Sequence, residues 1–201
     1  MYLTKINLDL TKRTTAKGFY DRGIFHSLLE SCFSGERQHP LWRIDKTNNV
    51  YSILFLSKDI PNLTRIESAV GKGDGKTIDY DKYLDFVSKD GNVLRFRIAV
   101  NPTAHPGSNA RIPLNLRRTK KRPRCAEDWL HAQIEKNGAK ILKSEVIDHR
   151  TICFKRGKGK LFKVTYEGTL EVVDSERFRT LLMQGVGPGK AYGCGFITVM
   201  S

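Results

Sequence analysis

Five glycines fall within the eleven residues Gly185-Val186-Gly187-Pro188-Gly189-Lys190-Ala191-Tyr192-Gly193-Cys194-Gly195. With so little side-chain bulk the stretch has to be a connection. It joins an amphipathic run at residues 175–184 to an apolar run at 196–200. Glycine reaches positive φ at little cost and lets backbone N–H groups approach a neighbour closely. Successive N–H groups in such a turn form a concavity suited to an anion, and Lys190 adds a full charge. Two readings stay open here: a phosphate cradle in which Gly187, Gly189 and Lys190 touch the ligand, or a turn that needs glycine only for close packing.

Known phosphate-binding patterns do not fit the stretch. A P-loop needs four residues between its first glycine and Gly-Lys, followed by Ser or Thr. Here three residues separate Gly185 from Gly189, and Ala191 follows Lys190. A dinucleotide fingerprint needs a glycine where Lys190 stands and a strand before the loop rather than a helix. Lys190-Ala191-Tyr192-Gly193 opens like an RRM signature, but Cys194 and Gly195 break it. No nucleotide cofactor is expected.

The charge balance narrows the partner. Lys and Arg number 35 against 21 acidic residues, a net charge of +14, which points to nucleic acid or another anionic surface. A membrane partner is not expected, because no apolar run approaches the roughly 18–20 residues of a spanning helix. The start, Met1-Tyr2-Leu3-Thr4-Lys5-Ile6, lacks the basic, apolar and small-residue segments of a signal peptide, so the chain reads as cytoplasmic. Cys32, Cys125, Cys153 and Cys194 form no C-x-x-C pair, and the five histidines show no H-x-x-x-H spacing. No metal site is expected, and the thiols read as small packing residues.

Periodicity predicts an α+β chain. A strand is expected at residues 2–8, then a polar connection at 11–18. A helix capped by Asp21 follows, with Ile24, Phe25, Leu28, Leu29 and Cys32 on one stripe. Strands at 41–45 and 50–57 flank a turn at 46–49, a short helix covers 63–70, and a strand covers 93–100 with Arg95 and Arg97 on one face, either simply solvated or touching RNA. This order suggests a split βαβ, ferredoxin-like domain over residues 1–100. Residues 101–124 carry Pro102, Pro106, Pro113 and Pro123 and end in Arg117-Arg118-Thr119-Lys120-Lys121-Arg122-Pro123-Arg124. They read as a mobile, basic inter-domain linker, either simply solvated or touching nucleic acid through Arg117, Arg118, Lys120, Lys121 and Arg122. A second ferredoxin-like domain is expected over 125–201. Its elements are a helix at 126–136, strands at 139–146, 151–155 and 161–173, a capped helix from 175 and a last strand at 196–199. Lys155, Arg156, Lys158 and Lys160 would form a basic hairpin tip.

His26 is the candidate for chemistry. On a helical wheel it lies about 130° from the centre of the apolar stripe, at the polar side where a substrate can reach it. An imidazole titrating near neutral pH can donate or accept a proton. RNA cleavage without a metal needs such a group, since the 2′-OH must lose a proton and the departing 5′-oxygen must gain one. A cation would offset charge on the phosphorane.

Together these residues resemble the CasE branch of the CRISPR repeat-RNA endoribonucleases, the processing subunit of the type I-E Cascade complex. The likeness runs nearly end to end, through Met1-Tyr2-Leu3-Thr4-Lys5, the His26 helix, Leu41-Trp42-Arg43, Leu94-Arg95-Phe96-Arg97-Ile98-Ala99-Val100-Asn101-Pro102, Glu127-Asp128-Trp129-Leu130, Tyr166-Glu167-Gly168-Thr169-Leu170 and the glycine-rich stretch. The resemblance implies two tandem ferredoxin-like domains and metal-independent cutting at the 3′ side of a repeat stem-loop. The ends would be a 2′,3′-cyclic phosphate and a 5′-hydroxyl. It further implies partners in the repeat RNA and the other Cascade subunits, His26 as the catalytic histidine, and the 155–160 tip as the hairpin that engages the stem. The family often places a tyrosine three residues before the histidine. Gly23 stands there, and Tyr20 is the candidate substitute.

Overall fold

In a computed structural model that describes residues 1–104, 111–120 and 123–201, the chain forms two four-stranded antiparallel sheets with helices packed on them. The first unit contains β1 (Tyr2–Asn7), α1 (Arg13–Tyr20), α2 (Arg22–Glu30), β2 (Leu41–Thr47), β3 (Val50–Ser57), α3 (Thr64–Val70) and β4 (Lys76–Asp79), with strand order β2-β3-β1-β4. After α4 (Asp81–Val87) come β5 (Val93–Val100), the short strands β6 (Thr103–Ala104) and β7 (Ile112–Pro113), α5 (Ala126–Lys136), β8 (Ala139–Phe154), β9 (Gly159–Val172) and α6 (Ser175–Gln184). A single 3₁₀ turn (Lys190–Tyr192) and β10 (Ile197–Met200) close the chain. The second sheet runs β10-β5-β9-β8. Each sheet has the ferredoxin-like order, with its fourth, first, third and second strands side by side.

Local chemistry explains several element ends. Asn48 and Asn49 both have positive φ (47° and 62°) and close β2 onto β3 as a two-residue hairpin of the twist that antiparallel strands favour. The Asp21 carboxylate accepts from Gly23 N at 2.9 Å and starts α2, and Asp174 accepts from Arg177 N at 3.0 Å and starts α6. Phe25, Leu29, Trp42, Ile53 and Phe55 are fully buried in the first core. Phe96, Ile98, Leu130, Tyr166, Leu170 and Phe178 anchor the second.

Several expectations need correction. The strand at 93–100 does not close the first unit. It pairs with β9 and β10 as the first strand of the second sheet, and the fourth strand of the first sheet is the short β4, paired with β1. The boundary between the sheets therefore falls before Val93, not at residue 100. Residues 101–124 are in consequence not an inter-domain linker but the connection from β5 to α5 within the second unit. Its described part is tied down by Leu114 N to Pro102 O at 3.0 Å and Ala126 N to Asn115 O at 2.8 Å. Lys121 and Arg122 lie outside the described residues. The polar segment at 11–18 contains α1. This helix has no apolar stripe of its own: Gly18 lies flat beneath the Phe25 ring, and Lys12 Nζ donates to the carbonyls of Glu67, Ser68 and Gly71 at the end of α3. The two strands expected at 139–146 and 151–155 are one long β8, irregular at Ile141/Lys143 and Val146/Asp148.

Arg43 of β2 joins the two units. Its guanidinium is 3% exposed and donates to the carbonyls of Arg97 (2.9 Å) and Phe196 (3.1 Å) and to Thr198 Oγ1 (2.7 Å), while Asp45 accepts at 2.7 and 2.9 Å. Removing one partner of a buried, hydrogen-bonded ion pair leaves the other charge unmatched, which typically costs about 3–5 kcal/mol. Arg43→Ala is accordingly expected to lower stability by about 3–5 kcal/mol in urea unfolding, with both sheets affected because the side chain belongs to neither core alone.

Candidate active site

The α1–α2 corner, the β8–β9 tip and the glycine-rich loop come together on one side of the molecule. α2 lies against the 3₁₀ turn of that loop and against β8. The tip is built from three consecutive residues of positive φ, Lys155 (52°), Arg156 (55°) and Gly157 (84°). Non-glycine residues take this conformation only when the surroundings hold them there. One such hold is Asp21: its Oδ2 accepts from Arg156 N at 2.7 Å while its Oδ1 caps α2. A single buried carboxylate thus sets both the start of the histidine helix and the position of the basic tip. Lys155, Arg156, Lys158 and Lys160 have exposed side chains on that tip.

His26 sits one turn into α2 with its side chain about a quarter exposed (26%), less open than its place on the helical wheel suggested, because the glycine-rich loop packs alongside. Its Nδ1 is buried and meets no hydrogen-bond partner among the described residues. Its Nε2 faces Glu30 Oε1 at 4.0 Å, and His39 Nδ1 approaches the same oxygen at 3.2 Å. Burial holds the His26 imidazole below its ordinary 6.5, and Glu30 works in the opposite direction. Glu30 is a site residue that the sequence reading passed over, although its place four residues after His26 on the same helix face was visible.

Tyr20 is 69% exposed at the end of α1. Its hydroxyl overhangs the tip, where a Cβ on Gly157 would lie 3.3 Å from it, and no hydrogen bond joins it to His26 among the described residues. Gly23, the second residue of α2, presents no side chain at its position.

The glycine-rich loop serves packing and leaves two of its amides without a backbone acceptor among the described residues. Gly185, Gly187, Gly189, Gly193 and Gly195 all have positive φ. A Cβ on Gly187 would come within 2.5 Å of the Trp129 ring, and one on Gly193 within 3.2 Å of Trp42. The N–H groups of Gly187 and Gly189 donate to no backbone carbonyl among the described residues, so the packing and anion-cradle readings are compatible. Lys190 is partly buried, and desolvation lowers its pKa. Tyr192 of the loop stacks on Phe154 of β8 with ring centroids 3.9 Å apart, tying loop to hairpin.

Other expected contact residues fall elsewhere. Arg95 and Arg97 line a groove of about 800 Å³ between the two sheets, away from the tip, and Arg97 is already ion-paired with Glu167. Arg118 grips the Asp128 carboxylate in the first turn of α5; its neighbours Arg117 and Lys120 are exposed. Among the described residues no group of three or more His, Cys, Asp or Glu side chains is placed to hold a metal ion, and no helix is long and apolar enough to cross a membrane.

This architecture has known relatives. Residues 1–200 match the family model described as CRISPR associated protein, and the chain belongs to that family. It is 28% identical over 218 residues to the CRISPR-associated endoribonuclease Cse3 of Thermus thermophilus, covering 99% of each chain. It is also 28% identical over 217 residues to the Cascade subunit CasE of Escherichia coli, covering 99% of this chain and 98% of that one. Among solved structures, Cse3 bound to a 19-nucleotide RNA superposes with a TM-score of 0.80 at 25% identity, covering 100% of this chain and 98% of that one. Cas6e from Escherichia coli superposes with a TM-score of 0.72 at 25% identity, covering 99% and 98%.

The electrostatics of His26 make a direct prediction. With its folded pKa below that of an unfolded imidazole, the stability it contributes is present in full above about pH 6.5 and is lost as pH falls through the lowered folded value. Glu30→Gln removes the one neighbour that raises the His26 pKa, so the imidazole should titrate at lower pH than in the wild type. NMR titration of the ring protons checks this, and an unchanged or raised value would remove Glu30 from the site.

Proposed function

We propose that the chain is an endoribonuclease that binds CRISPR repeat stem-loops in precursor RNA and cleaves at the 3′ side of the stem without a metal ion. The observation that supports this most is the meeting of His26, the exposed basic tip at 155–160 and the amides of Gly187 and Gly189 on one side of the molecule, in a chain similar over its whole length to a named CRISPR endoribonuclease.

The chemistry follows from the residues. An A-form stem presents phosphates and shape rather than readable base edges in its deep groove, so a rigid, twisted basic hairpin suits it. Lys155, Arg156, Lys158 and Lys160 contact the stem, and Lys190 with the amides of Gly187 and Gly189 takes a phosphate. Beyond this surface, the exposed Arg117 and Lys120 extend the positive charge, with Arg95 in the groove. His26 transfers the proton for attack of the 2′-OH on the adjacent phosphate, which gives a 2′,3′-cyclic phosphate and a 5′-hydroxyl. The lowered pKa keeps the imidazole neutral at physiological pH, so it accepts the 2′-OH proton, and the imidazolium so formed returns a proton to the departing 5′-oxygen. A lysine of the tip offsets charge on the phosphorane. Tyr20, at the tip rather than on the His26 helix, positions RNA or polarises the leaving oxygen in place of the side chain absent at Gly23. No cofactor takes part. The product stays bound and joins other Cascade subunits, as the name of the Escherichia coli relative suggests, and the protein works in the cytoplasm, away from membranes.

A second reading, a non-catalytic RNA-binding module of the same fold, is favoured by one observation: Gly23 where the family often has tyrosine. Incubation of a labelled repeat stem-loop in EDTA separates the two. Wild type should cut and His26→Ala should not, while the variant's stem-loop affinity stays within about threefold because one histidine adds little to a multi-phosphate interface. A 2′-deoxy sugar at the nucleotide 5′ to the cut should block the reaction. Tight binding without cleavage by wild type would establish the second reading.

A further inference from the structure

A second polar cleft, of about 280 Å³, opens where β2 and β3 of the first unit and the α1–α2 corner meet β8 and β9 of the second. Its lining carries five cationic side chains against two carboxylates. Arg22, the first residue of α2, is 6% exposed, and its guanidinium rests over the rings of Phe19 and Phe25 at 5.2 and 5.7 Å. No hydrogen bond or ion pair reaches that guanidinium among the described residues, and Nη1 is buried without a partner. Thr165 of β9, also 6% exposed, lines the same cleft with its Oγ1 equally unpartnered. Asp148, which lines the cleft, is spent, because it accepts from Arg150 at 2.8 Å through Oδ1 and pairs with Lys163 at 3.2 Å through Oδ2.

An unpaired buried cation is costly, and native interiors rarely leave one beside an unsatisfied hydroxyl. Burial first, and then Arg150, push the Arg22 pKa down to about 10, and burial likewise lowers that of Lys163. What the cleft lacks is an acceptor with several oxygens and negative charge. Its two carboxylates are already taken, Asp45 by Arg43 and Asp148 by Arg150 and Lys163, and a chloride would leave the directional donors unused.

We propose that this cleft is a phosphate-binding pocket in which Arg22 and Thr165 donate to the oxygens of a phosphate mono- or diester, with Lys163 at the wall and Arg150 at the mouth. Arg150 is half exposed and gives the anion its way in. Arg22 lies four residues before His26 on α2, so the pocket is one helical turn from the histidine. Two sources share this chemistry. One is a backbone phosphate of the repeat RNA outside its stem, which rests on the function proposed above. The other is free phosphate held as a structural ion.

The test is calorimetric titration of the wild-type chain with inorganic phosphate at constant ionic strength, beside Arg22→Met, Thr165→Val, Arg150→Gln and the surface control Arg177→Met. Arg22→Met keeps the apolar stem over the phenyl rings. Thr165→Val and Arg150→Gln carry the test if the Arg22 variant does not fold. Phosphate should saturate one site in wild type and in the Arg177 control. Its affinity should fall about tenfold or more in the Arg22 variant, as expected for a lost charge-assisted hydrogen bond, and by less in the other two. Equal phosphate binding by all five proteins, or none by wild type, would overturn the pocket.

A second arm assigns the source, using His26→Ala protein and the stem-loop with and without its 5′ single-stranded flank. Competition by inorganic phosphate against the flanked RNA alone supports the RNA backbone as ligand. Competition against neither RNA, with the site still filled, supports the free ion. The phosphate titration involves no RNA and no cleavage, so it stands apart from the endoribonuclease reading.

Discussion

Arg43 is the interaction on which the arrangement of the two units turns. It starts in the first sheet, on β2, and its donors end on the backbone of β5 and β10 in the second. A buried guanidinium adds little net stability compared with a well-packed apolar pair, but it specifies geometry, since five directional N–H groups have to meet fixed acceptors. Tyr83 of α4 adds a further polar tie to the second sheet by donating to the Val199 carbonyl at 3.0 Å. Apolar contact alone would allow the sheets to slide, whereas these bonds hold one register between them.

That register is what assembles the candidate site. His26 and Tyr20 belong to the first unit, and the basic tip and glycine-rich loop belong to the second. Asp21 fixes the tip from across the seam through Arg156 N, and Trp42 of β2 lies beneath Gly193 of the loop. The phosphate-binding pocket is made the same way, with Arg22 from one unit and Thr165, Lys163 and Arg150 from the other. The candidate site and the proposed pocket thus both lie at the seam, where each draws groups from the two units.

Much of this was legible along the chain. The amphipathic runs of α2, α5 and α6, the caps Asp21 and Asp174, the Asn48-Asn49 turn and the glycine-rich loop all depend on residues within a few positions of each other. The same holds for His26 at the edge of an apolar stripe. The misreadings share one cause. α1 is a helix because Gly18 fits under Phe25 and Lys12 reaches the end of α3, and both partners are distant in sequence or on another element. Arg97 looked like a free cation on a strand face, but Glu167, seventy residues away, neutralises it.

The sequence by itself determined the α+β class, the two ferredoxin-like units, the strong positive charge and the identity of the candidate histidine, but not every element, since α1, β4 and α4 went unread and β8 was read as two strands. Only the tertiary structure decided that β5 opens the second sheet rather than closing the first. An alternating strand shows the same pattern whichever sheet it joins, and its partners β9 and β10 lie some 70 to 100 residues away. It also decided that Arg22 is buried without an acceptor among the described residues and that one carboxylate, Asp21, serves both helix and hairpin. Burial and hydrogen-bond pairing are set by non-local contacts, and no local pattern encodes which distant group will arrive.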